Sequence, residues 1–265
     1  MSQPTKQKSK SLWAHAFNQL KKDRLALICL IIVIFYSLLA LAAWAGIAGH
    51  QHDIEVGPSY HPPSFDYLFG LDIFGRSVLD KTIKGTQVAM SVGLITGIIS
   101  TIIGVALGAI AGYYGGKIDE LIVWFYTSVA SIPYIMLLFA IAFIMGKGLM
   151  SVYLALGLTG WVNLCRLIRG EVIRHKDREY VQAAAALGGG DFRKLFKHIL
   201  PNVFHIVIIN FSLQFQVAIK SEVILSYLGL GVQGIPSWGT MIDDAKLELA
   251  RGVWWQLGGA TFAMF

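Results

Sequence analysis

Charge is scarce in this chain. Only 14% of its 265 residues are Asp, Glu, Lys or Arg, where a soluble domain carries about 25%. Cysteine is nearly absent. Cys29 and Cys165 fall within or at the ends of apolar runs, where thiols behave as small hydrophobes, so no disulfide framework is expected. Assembled catalytic chemistry is missing as well. There is no HExxH and no G-x-S-x-G, and neither Gly188–Gly190 nor Gly146–Leu149 continues into the G-K-[ST] of a P-loop. The chain therefore has no evident means of using ATP, and no catalytic residue is expected. His50, His52 and His61 share one polar segment. A metal site needs fixed geometry and usually further ligands, so a solvated loop is the simpler reading and no metal is expected.

What the chain has is apolar sequence: 55% hydrophobic residues and a mean hydropathy of +0.60. A crossing helix needs about 20 mostly apolar residues. Leu25–Ala45 is read as the first, after a basic segment of residues 1–24. A cleaved leader ending near Ala43-Trp44-Ala45 is the rival, but the apolar run is longer than a signal core. Residues 46–87 are mixed. Within a core of residues 88–265, Val88–Gly112, Leu121–Met145, Leu149–Ile168 and Val203–Ser221 are read as spans two to five. Leu228–Arg251 is polar again. Val253–Phe265 has 13 residues, too few to cross, and is read as a truncated sixth span. The expectation is an all-α polytopic membrane protein with five complete spans.

The formal charge of +6 follows this topology and not a nucleic-acid partner. With the N-terminus in the cytoplasm, the leader holds six basic residues, the Lys117 turn one and the loop after span four eight. The opposite side holds six: Arg76, Lys81, Lys84, Lys147, Lys246 and Arg251. The excess sets the orientation expected.

Within the spans, Gly93 and Gly97, then Gly104, Gly108 and Gly112, recur at intervals that let helix backbones approach closely in lipid. Pro133 should bend span three. Lys220 and Glu222 sit at the outer end of span five, two residues apart and so on different faces. Ionisable residues at membrane depth are pathway candidates, although snorkelling to the interface competes.

The most unusual polar stretch runs from Glu179 to Asn202. Tyr180, Val181, Ala184 and Leu187 recur at helical spacing, and Gly188-Gly189-Gly190 interrupts them. Asp191 is suited to cap a second helix, in which Phe192, Leu195, Phe196 and Ile199 form one apolar face. Arg193, Lys194 and Lys197 take the other. Pro201 marks the start of the next span. Such helices either lie on lipid or dock in a groove of a partner, and the small residues Ala183–Ala186 favour the groove.

This stretch resembles the EAA loop of ABC importer permeases, with Ala183, Ala184, Gly188, Leu200 and Pro201 at matching positions. Gln182 stands where that family has Glu, and His198 where it has Ile. "FGLDIFGRSVL" (Phe69–Leu79), "GAIAGYYGGKIDE" (Gly108–Glu120), "RLIRGEV" (Arg166–Val172), "LSYLGLGVQGIPSWGTMI" (Leu225–Ile242) and Trp254-Trp255 extend the likeness. They resemble the second permease subunit of the dipeptide/oligopeptide/nickel branch. Trp124 and Thr127 depart from that pattern, where an Arg and an Asp are common.

The resemblance implies a type I permease in a bacterial inner membrane. It would pair with a homologous permease, two ATPases that use ATP and Mg, and an extracytoplasmic binding protein. The coupling loop would be residues 171–201, with Glu179, Gln182, Ala183, Ala184, Gly188, Phe192, Leu195, Phe196 and Pro201 as coupling residues. The cargo would be di- or oligopeptides, or alternatively nickel or another non-peptide, or peptides carried outward. A membrane-anchored enzyme or scaffold, its loop lying on lipid, is the reading from another class.

Overall fold

A computed structural model describes residues 21–264, which form ten helices joined by loops and two isolated antiparallel bridges, Glu55–Arg76 and Leu71–Ser77. Most of the basic leader lies outside the described residues, as does Phe265. The helices are α1 (Arg24–Trp44), α2 (Val78–Tyr114), α3 (Gly116–Ala130), α4 (Tyr134–Met145), α5 (Leu149–Thr159), α6 (Val162–Lys176) and α7 (Glu179–Ala186). After them come α8 (Asp191–Tyr227), α9 (Trp238–Leu249) and α10 (Trp255–Met264). Among the described residues four spans are long and apolar enough to cross a membrane, α5 and α6 counting as one; α3 with α4 would make a fifth.

Several expected boundaries move. The second helix starts at Val78, ten residues before Val88. The Ser77 hydroxyl accepts the Asp80 N–H and starts it there. Hydropathy misses this turn because its polar residues Lys81 and Thr82 are buried against protein. The third span does not merely bend at Pro133. It breaks: α3 and α4 meet at 89°, and Pro133 is extended (φ −54°, ψ 128°) and caps α4. The fourth span does not end at Ile168. After a turn at Gly160, α6 runs on to Lys176, carrying Arg166, Arg169 and Arg174 on a helix. The second loop helix and the fifth span are one 37-residue helix, α8. Pro201 therefore lies inside it. The preceding turn, Lys194–Ile199, is π-wound, which accommodates a proline that can donate no bond to the previous turn. Asp191 opens that helix from within, and Gly190 stands at the N-cap.

The second helix is the axis of the bundle, and its glycines meet two different helices. A Cβ at Gly104, Gly108 or Gly112 would fall 2.9, 2.6 and 2.6 Å from the carbonyl oxygens of Trp161, Cys165 and Arg169. At Gly93 and Gly97 it would strike the rings of Phe215 and Phe211 on α8, at 2.6 and 2.8 Å. One stripe of glycines thus seats the backbone of α6, and the other admits two aromatic rings.

At the other end, the loop before α2 folds over α9 and α10 as a cap. Asp72 is fully buried. Its Oδ1 accepts the Phe74 and Arg76 N–H groups, and its Oδ2 accepts Arg76 Nε at 2.9 Å and Lys81 Nζ at 2.8 Å. Lys81 also donates to Gln256 Oε1. Trp255 Nε1 donates to Leu71 O, and Trp238 Nε1 to Thr82 O. Gly70 is left-handed (φ 71°), and a Cβ there would meet the Trp255 ring at 2.8 Å. Burial opposes ionisation of Asp72, but Lys81 and Arg76 outweigh it and hold the carboxyl below its usual range. Glu248, also buried, is pushed by burial up to about 6, against the pull of Lys81 and with Asp72 and Asp244 adding to the rise.

Two outcomes follow for stability. Gly108→Ala should destabilise the detergent-solubilised protein by about 1–3 kcal/mol through overpacking. Gly170→Ala, where nothing lies within 4 Å of the added carbon, should be neutral or stabilising by up to about 1 kcal/mol; equal melting temperatures would contradict the seam. The folded state also holds the Glu248 proton more tightly than the unfolded chain. Its contribution is therefore full below about pH 4.5 and lost as pH rises through about 6, roughly 2 kcal/mol in all. The melting temperature should fall over that window in the parent protein and stay flatter in Glu248→Gln.

Candidate functional site

The end of the bundle that carries α7 is built around a glycine joint. The chain leaves α7 through Gly188 in the left-handed region (φ 78°), donating from Gly188 N to Ala185 O and from Gly189 N to Ala184 O, both 2.9 Å. A Cβ at Gly188 would meet nothing within 4 Å, so backbone conformation, not space, requires glycine there. At Gly189 the added carbon would lie 2.6 Å from Ala184 O.

Val181 anchors α7 in the interior, while Glu179, Gln182 and Ala183 are exposed and Ala184 half-buried. The Gln182 side-chain amide donates to Asp177 O at 3.1 Å, a bond within the loop that needs no charge. The first turn of α8 is tied to the end of α2: Tyr113 Oη donates to Asp191 Oδ1 at 2.7 Å, and Lys194 Nζ lies 2.8 Å from the same oxygen.

The single apolar face expected for residues 192–199 divides in two. Leu195 and Ile199 are buried against Ile168, Val172 and Val181. Phe192 and Phe196 are 74% and 52% exposed, their rings 4.3 Å apart. Leu187, at the end of α7, is 88% exposed. The split is what the π turn produces, since a turn of more than four residues rotates the side chains that follow. Phe192 and Phe196 line an apolar groove with Ile102, Ile110 and Ile118, while Leu187 and most of the alanines of α7 are exposed on the other side of the glycine joint in the chain.

One further contact, which residue order did not disclose, ties α6 to its neighbours. Arg169 grips Asp119 with two parallel bonds, Nε to Oδ1 at 2.5 Å and Nη2 to Oδ2 at 2.6 Å, linking α6 to α3. Counting Arg169 among loop charges concealed it. The signal was there, because Asp119 and Arg169 each lie in one of the quoted motifs.

The remaining candidates separate. Pro133 stands at the break between α3 and α4. Lys220 is exposed, whereas Glu222 is 1% exposed and accepts the Ser226 hydroxyl at 2.6 Å. Both are pathway candidates with snorkelling to an interface as the alternative, and the Glu222 side chain packs inward toward Ser226. Among the described residues no cluster of three or more metal-ligating side chains occurs. His52 and His61 each share a hydrogen bond with a nearby carbonyl, of Gly49 and Pro62.

Comparison with known proteins bears on the whole chain. Residues 104–265 match the family model described as binding-protein-dependent transport system inner membrane component. Residues 11–63 match the N-terminal TM domain of oligopeptide transport permease C. The oligopeptide transport system permease protein OppC of Bacillus subtilis (strain 168) is 33% identical over 248 residues, 93% of this chain and 81% of the relative. The dipeptide transport system permease protein DppC of the same organism is 35% identical over 256 residues, 95% and 79% respectively. The glutathione transport system permease protein GsiD of Pectobacterium atrosepticum is 30% identical over 217 residues, 80% and 72%. With matched sequence along nearly its full length and a helical bundle carrying several apolar spans, the chain belongs to the binding-protein-dependent transport system inner membrane components, as an ABC transporter permease of the peptide and oligopeptide importer family.

Proposed function

We propose that this permease forms, with a homologous permease, the pathway for di- or oligopeptides brought by an extracytoplasmic binding protein. Two partner ATPases drive it, using ATP and Mg that this chain does not itself bind. In this reading the N-terminus and the glycine joint are cytoplasmic, as the basic excess favours. Residues Phe69–Leu79 and Gly229–Trp238 then shape the outer mouth. Peptides are the cargo named for the oligopeptide and dipeptide relatives, and the same cargo class is assigned here.

The observation that carries the reading is the exposure of apolar and small residues on both sides of the glycine joint, Ala183 and Leu187 before it and Phe192 and Phe196 after it. Small side chains next to projecting aromatic ones suit insertion in a protein groove better than contact with lipid headgroups. Phe192 and Phe196 lie in the first turns of α8, which continues unbroken for 37 residues. Movement of an ATPase would therefore be delivered straight into a span, which is what alternating access needs. Glu179, Ala184, Gly188, Leu195 and Pro201 hold this geometry or border it.

Phe192→Asp and Gly188→Val should each weaken retention of the ATPases on the purified permease pair by at least tenfold, the scale of a lost interface anchor. The two permeases should still co-purify. Full retention of the ATPases by both variants would overturn the docking assignment.

A further inference from the structure

The break at Pro133 opens a cavity of about 500 Å³. It is bounded by the end of α3, the start of α4, the α5–α6 turn and the middle of α8. Its polar lining is Tyr134, Thr159, Asn163, Arg166 and Gln214. A smaller cavity of about 140 Å³ shares Gly160, Asn163 and Gln214 with it and adds Ser100, Thr101 and Asn210. No carboxylate lines either one.

The depth is notable. The last charged residue of α3 is Glu120. Ala130 lies ten residues on, about 15 Å along the helix, half of a hydrocarbon core of about 30 Å. The Arg166 guanidinium, over the Tyr126 ring six residues past Glu120, lies about 9 Å in, and a run of amides and hydroxyls that continues from it toward the break requires water or a polar ligand on its open side.

Three groups in the cavity lack something. Arg166 stacks over the Tyr126 ring at 4.9 Å, but no ion pair holds it among the described residues, in contrast to Arg169 one turn away. The Gln214 Nε2 is buried and has no hydrogen-bond partner. Gly160 keeps it in place, since a Cβ there would fall 2.0 Å from that nitrogen. The first turn of α4 is uncapped by any side chain, so its N–H groups and the positive end of its dipole face the break. All three deficits are donors or positive charge. They call for a planar anion with two acceptor oxygens, the shape a guanidinium fork fits.

We propose that this cavity is a transit site for the carboxylate of a peptide, with Arg166 as its specificity-determining residue and Gln214 and the start of α4 as supporting donors. The assignment rests on the peptide-permease reading above. It gives Pro133 a purpose beyond bending a span: the break exposes the N-terminal amides of α4 midway through the bilayer, an arrangement used elsewhere to hold anionic groups in transporters.

The test uses the whole transporter in proteoliposomes, supplied with binding protein already saturated with either tri-alanine or tri-alanine amide, so that affinity for the binding protein cancels. The parent should transport the free carboxylate at least tenfold faster, the scale of one charge-assisted hydrogen bond. Arg166→Gln should bring that ratio close to one. Arg166→Lys, which keeps the charge and loses the fork, should give an intermediate ratio and decides the matter if the glutamine variant does not assemble. An unchanged ratio in the variants overturns the site. So does an equal fall for both peptides, the result expected if Arg166 only pairs with a carboxylate of the partner permease. Failure of the parent to move either peptide overturns the peptide-permease reading instead, and is recognisable because it precedes any substitution.

Discussion

The architecture depends on how closely backbones can approach along α2. Lipid tails offer no hydrophobic drive to bring helices together, so packing must come from shape. Gly104, Gly108 and Gly112 bring α6 near enough that three of its carbonyls lie where side chains would otherwise stand. That approach carries α6 down to Arg169 at the level of Asp119 and so fixes α3. It also sets where α7 leaves, because α6 ends at Lys176, about two turns beyond. Gly93 and Gly97 do the same for α8 through two phenylalanine rings. The glycine joint and the cavity at the break are both suspended from this one helix.

The sequence motifs that carry the family resemblance are halves of contacts. Asp72 in the first pairs with Lys81 and, through it, reaches Gln256 beside the Trp254-Trp255 pair. Trp238 in the fourth bonds to the second helix at Thr82. Asp119 in the second finds Arg169 in the third. A motif read alone suggests a site. Set in the fold, most of these residues satisfy one another across long separations, and what remains unpaired is more informative about function.

Apolar runs and glycine spacing were legible in one dimension, because a span must bury its backbone bonds and a close approach needs small residues at a fixed interval. The charges between spans were less so. Hydropathy treats Lys81, Arg166 and Arg169 alike as residues that end a helix. Each stands on one, satisfied or exposed according to a partner far away in the chain. The joining of the loop helix to the fifth span was hidden by Pro201, which ordinarily signals a start; the π turn before it has no signature in residue order. The split of the Phe192–Ile199 face follows from the same turn. Whether Glu222 faces a pathway or an interface depends on how α8 tilts and packs, which residue spacing does not carry.

The cap closes with residues drawn from opposite ends of the molecule: Trp255 bonds to Leu71 across a separation of 184 residues, and Tyr36 to the carbonyl of Ala263. A ribosome adding roughly 5–20 residues per second takes about 10–40 s to cover that interval. For that time Asp72 and Lys81 wait at the membrane surface with each other and without Gln256. Their mutual attraction suits them to the wait, since neither charge needs the later helices to be neutralised. The bundle thus matures from its axis outward, and the cap closes only once α10 has been made.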